Sequence, residues 1–207
     1  MGGRMSLPRP ANAQQKRGGI LTAILNPEPP ILVLDVAEQL IARAQANQQK
    51  PFPWGGDFTG AESVSIQFGE QTAERGLHTL AGADVAAAVV AYGGSARAGD
   101  VPGGNMFIVD PNYLSYSNTP IEITAIVRRN PNNDNAGFKL VYESTNGFKT
   151  AGNWYTIPEE ARWHTVRWRI DDPCFVNYWG YNFVLESDGP KFSNYYIRSV
   201  SVSKLAE

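Results

Sequence analysis

The chain has 207 residues and a formal net charge of −2, with 18 % charged and 11 % aromatic residues, 20 glycines and 14 prolines. A balance this close to neutral argues against a dedicated nucleic-acid binder, which carries a basic face. The one cysteine, Cys174, excludes an intrachain disulfide, and no apolar run approaches the ~20 residues that span a bilayer. The composition, rich in aromatic and turn residues, favours an all-β protein.

The N-terminal residues 1–50 are predicted to form an extension. Met1 to Gly19 holds four basic residues and no acid, which indicates an unordered arm, more simply a flexible leader than an anionic-surface arm. A proline-rich stretch follows. Asp35 can cap an amphipathic helix from Val36 to Gln48, with Glu38 completing the cap. Residues 31–48 could therefore pack on the main domain or support self-association.

A linker-like Gln-Gln-Lys-Pro-Phe-Pro segment places the domain boundary near residue 50, so we expect the main domain over residues 51–207. The apolar run Ile20 to Leu25 is too short for an ordinary signal peptide and has no cleavage site after it. The sequence thus shows no signal peptide.

Short runs with alternating apolar and polar residues recur in the main domain, separated by turn residues. Ile121 to Arg128 alternates most regularly, and Asn146-Gly147 is typical of a hairpin turn. Because no crossover helix separates these runs, we predict an all-β, two-sheet antiparallel sandwich of the jelly-roll type. The nine predicted strands span residues 63–68, 85–92, 105–109, 121–128, 138–144, 154–157, 163–170, 182–187 and 195–203.

Five segments carry a family resemblance. They are, in order, Arg75–Leu77 with Gly82–Asp84, Met106–Asp110 leading through Tyr113 into Pro120–Thr124, Gly137–Ser144, Trp163–Thr165 with Ile170–Phe175, and Tyr195–Val202. Residues 60 to 205 resemble the carbohydrate-binding modules of the galactose-binding-like, jelly-roll type that are attached to polysaccharide-degrading enzymes. The resemblance implies an extracellular or cell-surface polysaccharide binder with no required cofactor and no nucleic-acid or membrane partner. Related modules often hold a structural calcium ion, for which Asp57 and Glu62 are the candidates here.

A sugar site needs flat aromatic rings beside side chains that hydrogen-bond hydroxyls. The turn Asp171-Asp172-Pro173 ends a strand and opens a compact loop that contains three large aromatic residues, and loops lie at the surface. A second aromatic pair follows Thr150 to Asn153, which we expect to be flexible. For any single aromatic residue, burial in the core is the alternative. The predicted ligand-binding residues are Trp154, Tyr155, Asp171, Asn177, Tyr178, Trp179, Tyr181 and Asn182.

Two other functions stay open. One is a glycoside hydrolase or polysaccharide lyase on a jelly-roll scaffold. A hydrolase usually needs two carboxylates across the scissile bond, and Glu122, Glu143 and Glu186 on separate predicted strands could converge. Their spacing marks no catalytic motif, so the sequence favours a non-catalytic binder. The second alternative is a structural or assembly protein that uses its N-terminal extension for oligomer contacts. Cys174 is expected to pack as a small buried residue, and the two histidines predict no zinc site.

Overall fold

The computed structural model describes residues 56–69, 71–81, 96–103, 105–131 and 135–206. The predicted arm and helix, and the predicted strand over residues 85–92, lie outside them. Within this part of the chain no helix is long and apolar enough to cross a membrane.

Strands account for about half of the described residues. They are β1 (Ser63–Gln67), β2 (Ala73–Arg75), β3 (Leu77–Thr79), β4 (Arg97–Ala98), β5 (Met106–Val109), β6 (Ile121–Arg129), β7 (Gly137–Ser144), β8 (Gly147–Thr156), β9 (His164–Ile170), β10 (Phe183–Glu186) and β11 (Tyr195–Lys204). One sheet has the order β2-β1-β11-β6-β9, with β4 on β11, and the other has the order β3-β5-β10-β7-β8. All the pairs of named strands are antiparallel. The predicted antiparallel sandwich is confirmed.

The core lies between the two sheets and follows from strand alternation. On β6, Ile121, Ile123 and their alternate neighbours are fully buried, while the residues between them are half-buried. Successive side chains of a strand point to opposite faces, so one face of β6 packs inward. The Phe138 ring of β7 meets Trp168 at 5.9 Å and Tyr195 at 5.2 Å between ring centroids. These contacts join the two sheets.

Strand β8 is longer than predicted. It includes residues 150–153, which were expected to be flexible. It begins at Gly147, the second residue of the predicted hairpin turn, and Thr150 and Ala151 pair with β7. The register then shifts, with Gly152 at a φ of 68°. A bulge of this kind adds unpaired residues and breaks the alternation from which strands are recognised. The three strands that were not predicted, β2, β3 and β4, have only two or three residues each.

Candidate functional site

A loop over one end of the five-stranded sheet carries the candidate site. After β9, the Asp-Asp-Pro turn brings the chain to the end of β7, where Pro173 forms an isolated bridge with Ser144. The Cys174 N–H donates to the Glu143 carbonyl at 3.0 Å. Cys174 is 8 % exposed, as predicted for a small buried residue. Residues 174–181 therefore start on the backbone of β7 and return into β10.

The buried carboxylate of Glu143 holds this loop. Its Oε2 accepts the backbone N–H groups of Val176 at 2.8 Å and Asn177 at 2.9 Å, and its Oε1 accepts that of Tyr178 at 2.8 Å. The Asn182 amide donates a fourth hydrogen bond to Oε2 at 3.0 Å. Glu143 is 3 % exposed, and a buried charge is tolerated only when it is hydrogen-bonded or paired. Three consecutive backbone amides are thus fixed by one side chain.

Four aromatic rings form a surface cluster, which we call the loop cluster. Three of them, Tyr178, Trp179 and Tyr181, belong to the loop, and the fourth, Phe148, belongs to β8. Trp179 is 66 % exposed and Tyr178 50 % exposed, with 6.4 Å between their ring centroids. Phe148 of β8 lies 5.5 Å from Trp179 and 5.3 Å from Tyr181. These separations are typical of interacting aromatic pairs. The loop cluster presents flat apolar rings to solvent from a loop whose backbone is fixed.

The phenol of Tyr181 stays a hydrogen-bond donor. Burial raises the pKa of Tyr181, and the carboxylates of Glu186 and Glu143 raise it further because they disfavour a second negative charge. The hydroxyl therefore keeps its proton at neutral pH. It adds a polar group to the loop cluster, in addition to the hydroxyl of Tyr178 and the indole N–H of Trp179.

Two residues that were predicted to contact a ligand, Asn177 and Asn182, form hydrogen bonds that hold the loop in place. Asn182 is 2 % exposed; its Oδ1 accepts the Val109 N–H at 2.8 Å and its amide nitrogen donates to Glu143. Asn177 has a φ of 56° and is half-buried, with its N–H on Glu143. Asparagine tolerates this left-handed conformation better than most residues. The Asn182 side chain therefore joins β5 to the loop and is turned away from any surface ligand.

The other predicted residues lie apart from the loop cluster. Tyr155 packs on the core, with its ring 5.8 Å from Phe138, whereas Trp154 is 37 % exposed on the opposite side of β8. The two candidate side chains therefore face opposite ways, as neighbouring residues of a strand do. Asp171 accepts from the Arg169 Nε at 2.7 Å beside β9, in the other sheet.

Phe148 is a member of the loop cluster that sequence reasoning missed. It follows the Asn146-Gly147 hairpin turn and pairs with Glu143 in the register of β7 and β8. The hairpin signal was present in the sequence, and continuing β8 from it would have placed Phe148 on the same face as Glu143. The bulge farther along β8 concealed that continuation.

The three candidate catalytic acids have different surroundings and do not converge. Glu122 lies on β6 of the six-stranded sheet, with Arg167 Nε 3.5 Å from its carboxylate. Glu186 forms an ion pair of 2.8 Å with Lys139 on the five-stranded sheet. Glu143 is buried beneath the loop. None of these positions sets two carboxylates across a shared cleft.

The calcium candidates do not form a ligand group. The Oδ1 of Asp57 accepts the Thr59 N–H at 2.9 Å in an exposed turn. Calcium takes six to eight oxygen ligands, and in the described ranges no three His, Cys, Asp or Glu side chains gather around one point.

The Asp172 carboxylate ties the turn before the loop to the β7–β8 hairpin and should make stability depend on pH. It accepts the Tyr142 hydroxyl at 2.6 Å and pairs with Lys149. These hydrogen bonds, Lys149 first, lower the pKa of Asp172 below its unfolded value of about 3.9. A lowered folded pKa contributes stability above the unfolded pKa, and this contribution disappears as pH falls through the folded pKa.

We therefore expect Asp172→Asn to lower the melting temperature at pH 7, and we expect its difference from the wild type to shrink as the pH falls below about 3.9, measured by thermal unfolding across pH. Asp171→Asn is the control for the loss of one charge, since its carboxylate side chain is 69 % exposed and such surface pairs contribute little. An equal difference between Asp172→Asn and the wild type at every pH would contradict the assignment.

Comparison with known proteins leaves the family open. No protein-family model matches the chain, and no curated protein matches it. Among solved structures, the CBM22-1 xylan-binding domain from Paenibacillus barcinonensis matches with a TM-score of 0.33 and 12 % identity, over 45 % of this chain and 60 % of that domain. The PRD1 vertex protein P5 matches with a TM-score of 0.36 and 14 % identity, over 73 % of this chain and 100 % of that one. Likenesses this distant assign neither a family nor a function.

Proposed function

We propose that the sandwich domain binds a polysaccharide of the cell-wall type without cleaving it, through the loop cluster. The observation that carries the proposal is a pair of exposed aromatic rings, Tyr178 and Trp179, on a loop fixed by three hydrogen bonds to buried Glu143. Exposure of aromatic rings to water is unfavourable, so a ligand that covers them gains free energy. Because the loop is already fixed, little conformational entropy is lost when the ligand binds. This combination suits a ligand that stacks on flat rings.

The chemistry of a sugar fits this surface. Sugar rings present C–H faces that stack on aromatic rings and hydroxyls that need donors and acceptors, which the Tyr178 and Tyr181 hydroxyls of the loop cluster can provide. A shallow surface site retains water around the ligand, so we expect modest affinity. The same proposal places the protein in an extracellular or cell-surface setting, where such polymers are found.

An affinity-gel and pull-down screen tests this function. The wild-type chain is run against insoluble and soluble xylan, cellulose, mannan, mixed-linkage glucan and pectin, and released reducing sugars and unsaturated products are assayed in the same tubes. Retention without product is the expected result. Product release would replace the proposal with an enzyme, and failure to be retained by any polymer would contradict it and favour an assembly role.

A further inference from the structure

A second aromatic pair lies at the far end of the sheet face that carries the loop cluster. Trp154 and Phe192 have ring centroids 5.3 Å apart in an edge-to-face arrangement, and the Lys191 ammonium lies 4.7 Å from the Phe192 centroid. The Trp154 indole lies over Gly137, since a Cβ added there would meet its Nε1 at 2.8 Å. Phe138 points into the core, so Gly137 faces outward. We call Trp154 and Phe192 the end pair.

The loop cluster and the end pair are joined by one strand. Glu143, beneath the loop cluster, is six residues from Gly137 along β7, a separation of about 20 Å at ~3.3 Å per residue. Between them the outward positions of β7 hold Lys139 and Val141, with Thr150 of β8 beside Val141. Aromatic rings therefore lie at both ends of a stretch of β7 whose outward side chains are not aromatic.

An ion pair with balanced charges lies on this stretch of the sheet. Lys139 of β7 and Glu186 of β10 form an ion pair of 2.8 Å, with side chains that are 42 % and 51 % exposed. The pair offers N–H donors and carboxylate acceptors to solvent without a net charge. Hydroxyl groups can use both, whereas a strongly charged polymer would meet no net attraction from this pair.

We infer that the loop cluster and the end pair belong to one site, which takes an extended, uncharged oligosaccharide chain along β7 and not a single sugar or a chain end. The inference rests on the proposed function. A short sugar reaches one aromatic end only, whereas a long chain contacts both ends. Linked contacts of this kind strengthen binding without any new interaction at either end. Affinity should therefore rise with chain length until both ends are occupied.

Calorimetric titration with xylo-, cello- and manno-oligosaccharides of two to six sugars tests the inference on the full chain. For the series that binds, we expect Trp154→Ala to lower hexasaccharide affinity about ten-fold and to leave disaccharide affinity unchanged. Trp179→Ala should lower both. Trp163→Ala is the matched control, because Trp163 lies under Arg198, 4.2 Å from its guanidinium carbon, beside the six-stranded sheet. Phe192→Ala repeats the test of the end pair if Trp154→Ala does not fold.

The outcomes separate the two proposals. If Trp154→Ala and Phe192→Ala bind the hexasaccharide as tightly as the wild type while Trp179→Ala does not, the extended site is overturned and the proposed function stands. The same holds if the wild type binds disaccharide and hexasaccharide equally. If the wild type binds no oligosaccharide of any length but is retained by a polymer of the screen, the extended site is overturned and the proposed function stands; if it is also retained by no polymer, both proposals fail.

Discussion

Replacing Glu143 by alanine is expected to destabilise the domain by about 3–5 kcal/mol and to weaken polysaccharide binding with it. The substitution leaves the buried Asn182 amide and the N–H groups of Val176, Asn177 and Tyr178 without their acceptor. Each buried donor without a partner costs about 1–3 kcal/mol. Because a folded domain is stable by only about 5–15 kcal/mol, the loss should be large in a urea titration.

Glutamine at the same position should have an intermediate effect. Glu143→Gln keeps one oxygen, which can accept from Val176, Asn177 and Asn182, but it turns an NH₂ group toward the Tyr178 N–H. Glu186→Ala is the matched control, since its carboxylate lies on the neighbouring strand, 51 % exposed, in a surface ion pair with little effect on stability. An unfolding midpoint for Glu143→Ala equal to that of Glu186→Ala would show that the carboxylate does not hold the loop.

Replacing Trp179 by alanine is expected to abolish retention on the polysaccharide gel while the melting temperature stays within about a degree of the wild type. The side chain is 66 % exposed and contacts other rings of the loop cluster, so little buried area is lost on its removal. Its ring is the most exposed flat surface of the cluster, so binding should lose its main stacking partner.

Trp168→Ala shows the loss of stability that is expected when a buried tryptophan is removed. Trp168 is 9 % exposed and packs on Phe138, and removal of such a core aromatic costs about 3–5 kcal/mol. A large loss of stability for Trp179→Ala, comparable to that for Trp168→Ala, would make Trp179 a structural residue and remove it from the binding site.

The sequence predicted the fold well because local patterns determine strand faces. The alternation over Ile121 to Arg128 placed β6 and its buried face correctly, and the Asp-Asp-Pro turn located the start of the aromatic loop. The role of Glu143 could not be predicted, since its partners are 33 to 39 positions away along the chain. Only the antiparallel pairing of β7 and β10 brings them together.

The surface of the site was harder to predict because one irregularity changes which side chains face outward. The register shift in β8 breaks the alternation beyond Ala151, so the strand was predicted only from Trp154 and Phe148 was missed although the hairpin signal before it was present. Asn182 looked like a ligand contact because it lies beside aromatic residues. Its burial and its hydrogen bond to the Val109 N–H are tertiary features, with 73 positions between the two residues.

The most direct test of the central claim is the indole N–H region of a ¹H–¹⁵N correlation spectrum during titration with xylohexaose, cellohexaose or mannohexaose. The chain has five tryptophans, and single Trp→Phe variants assign their signals. The proposed site predicts that the Trp179 signal shifts with one of these ligands while those of Trp163 and Trp168 stay in place. A shift of the Trp163 signal with the Trp179 signal unchanged would place the ligand on the other sheet and contradict the proposed site.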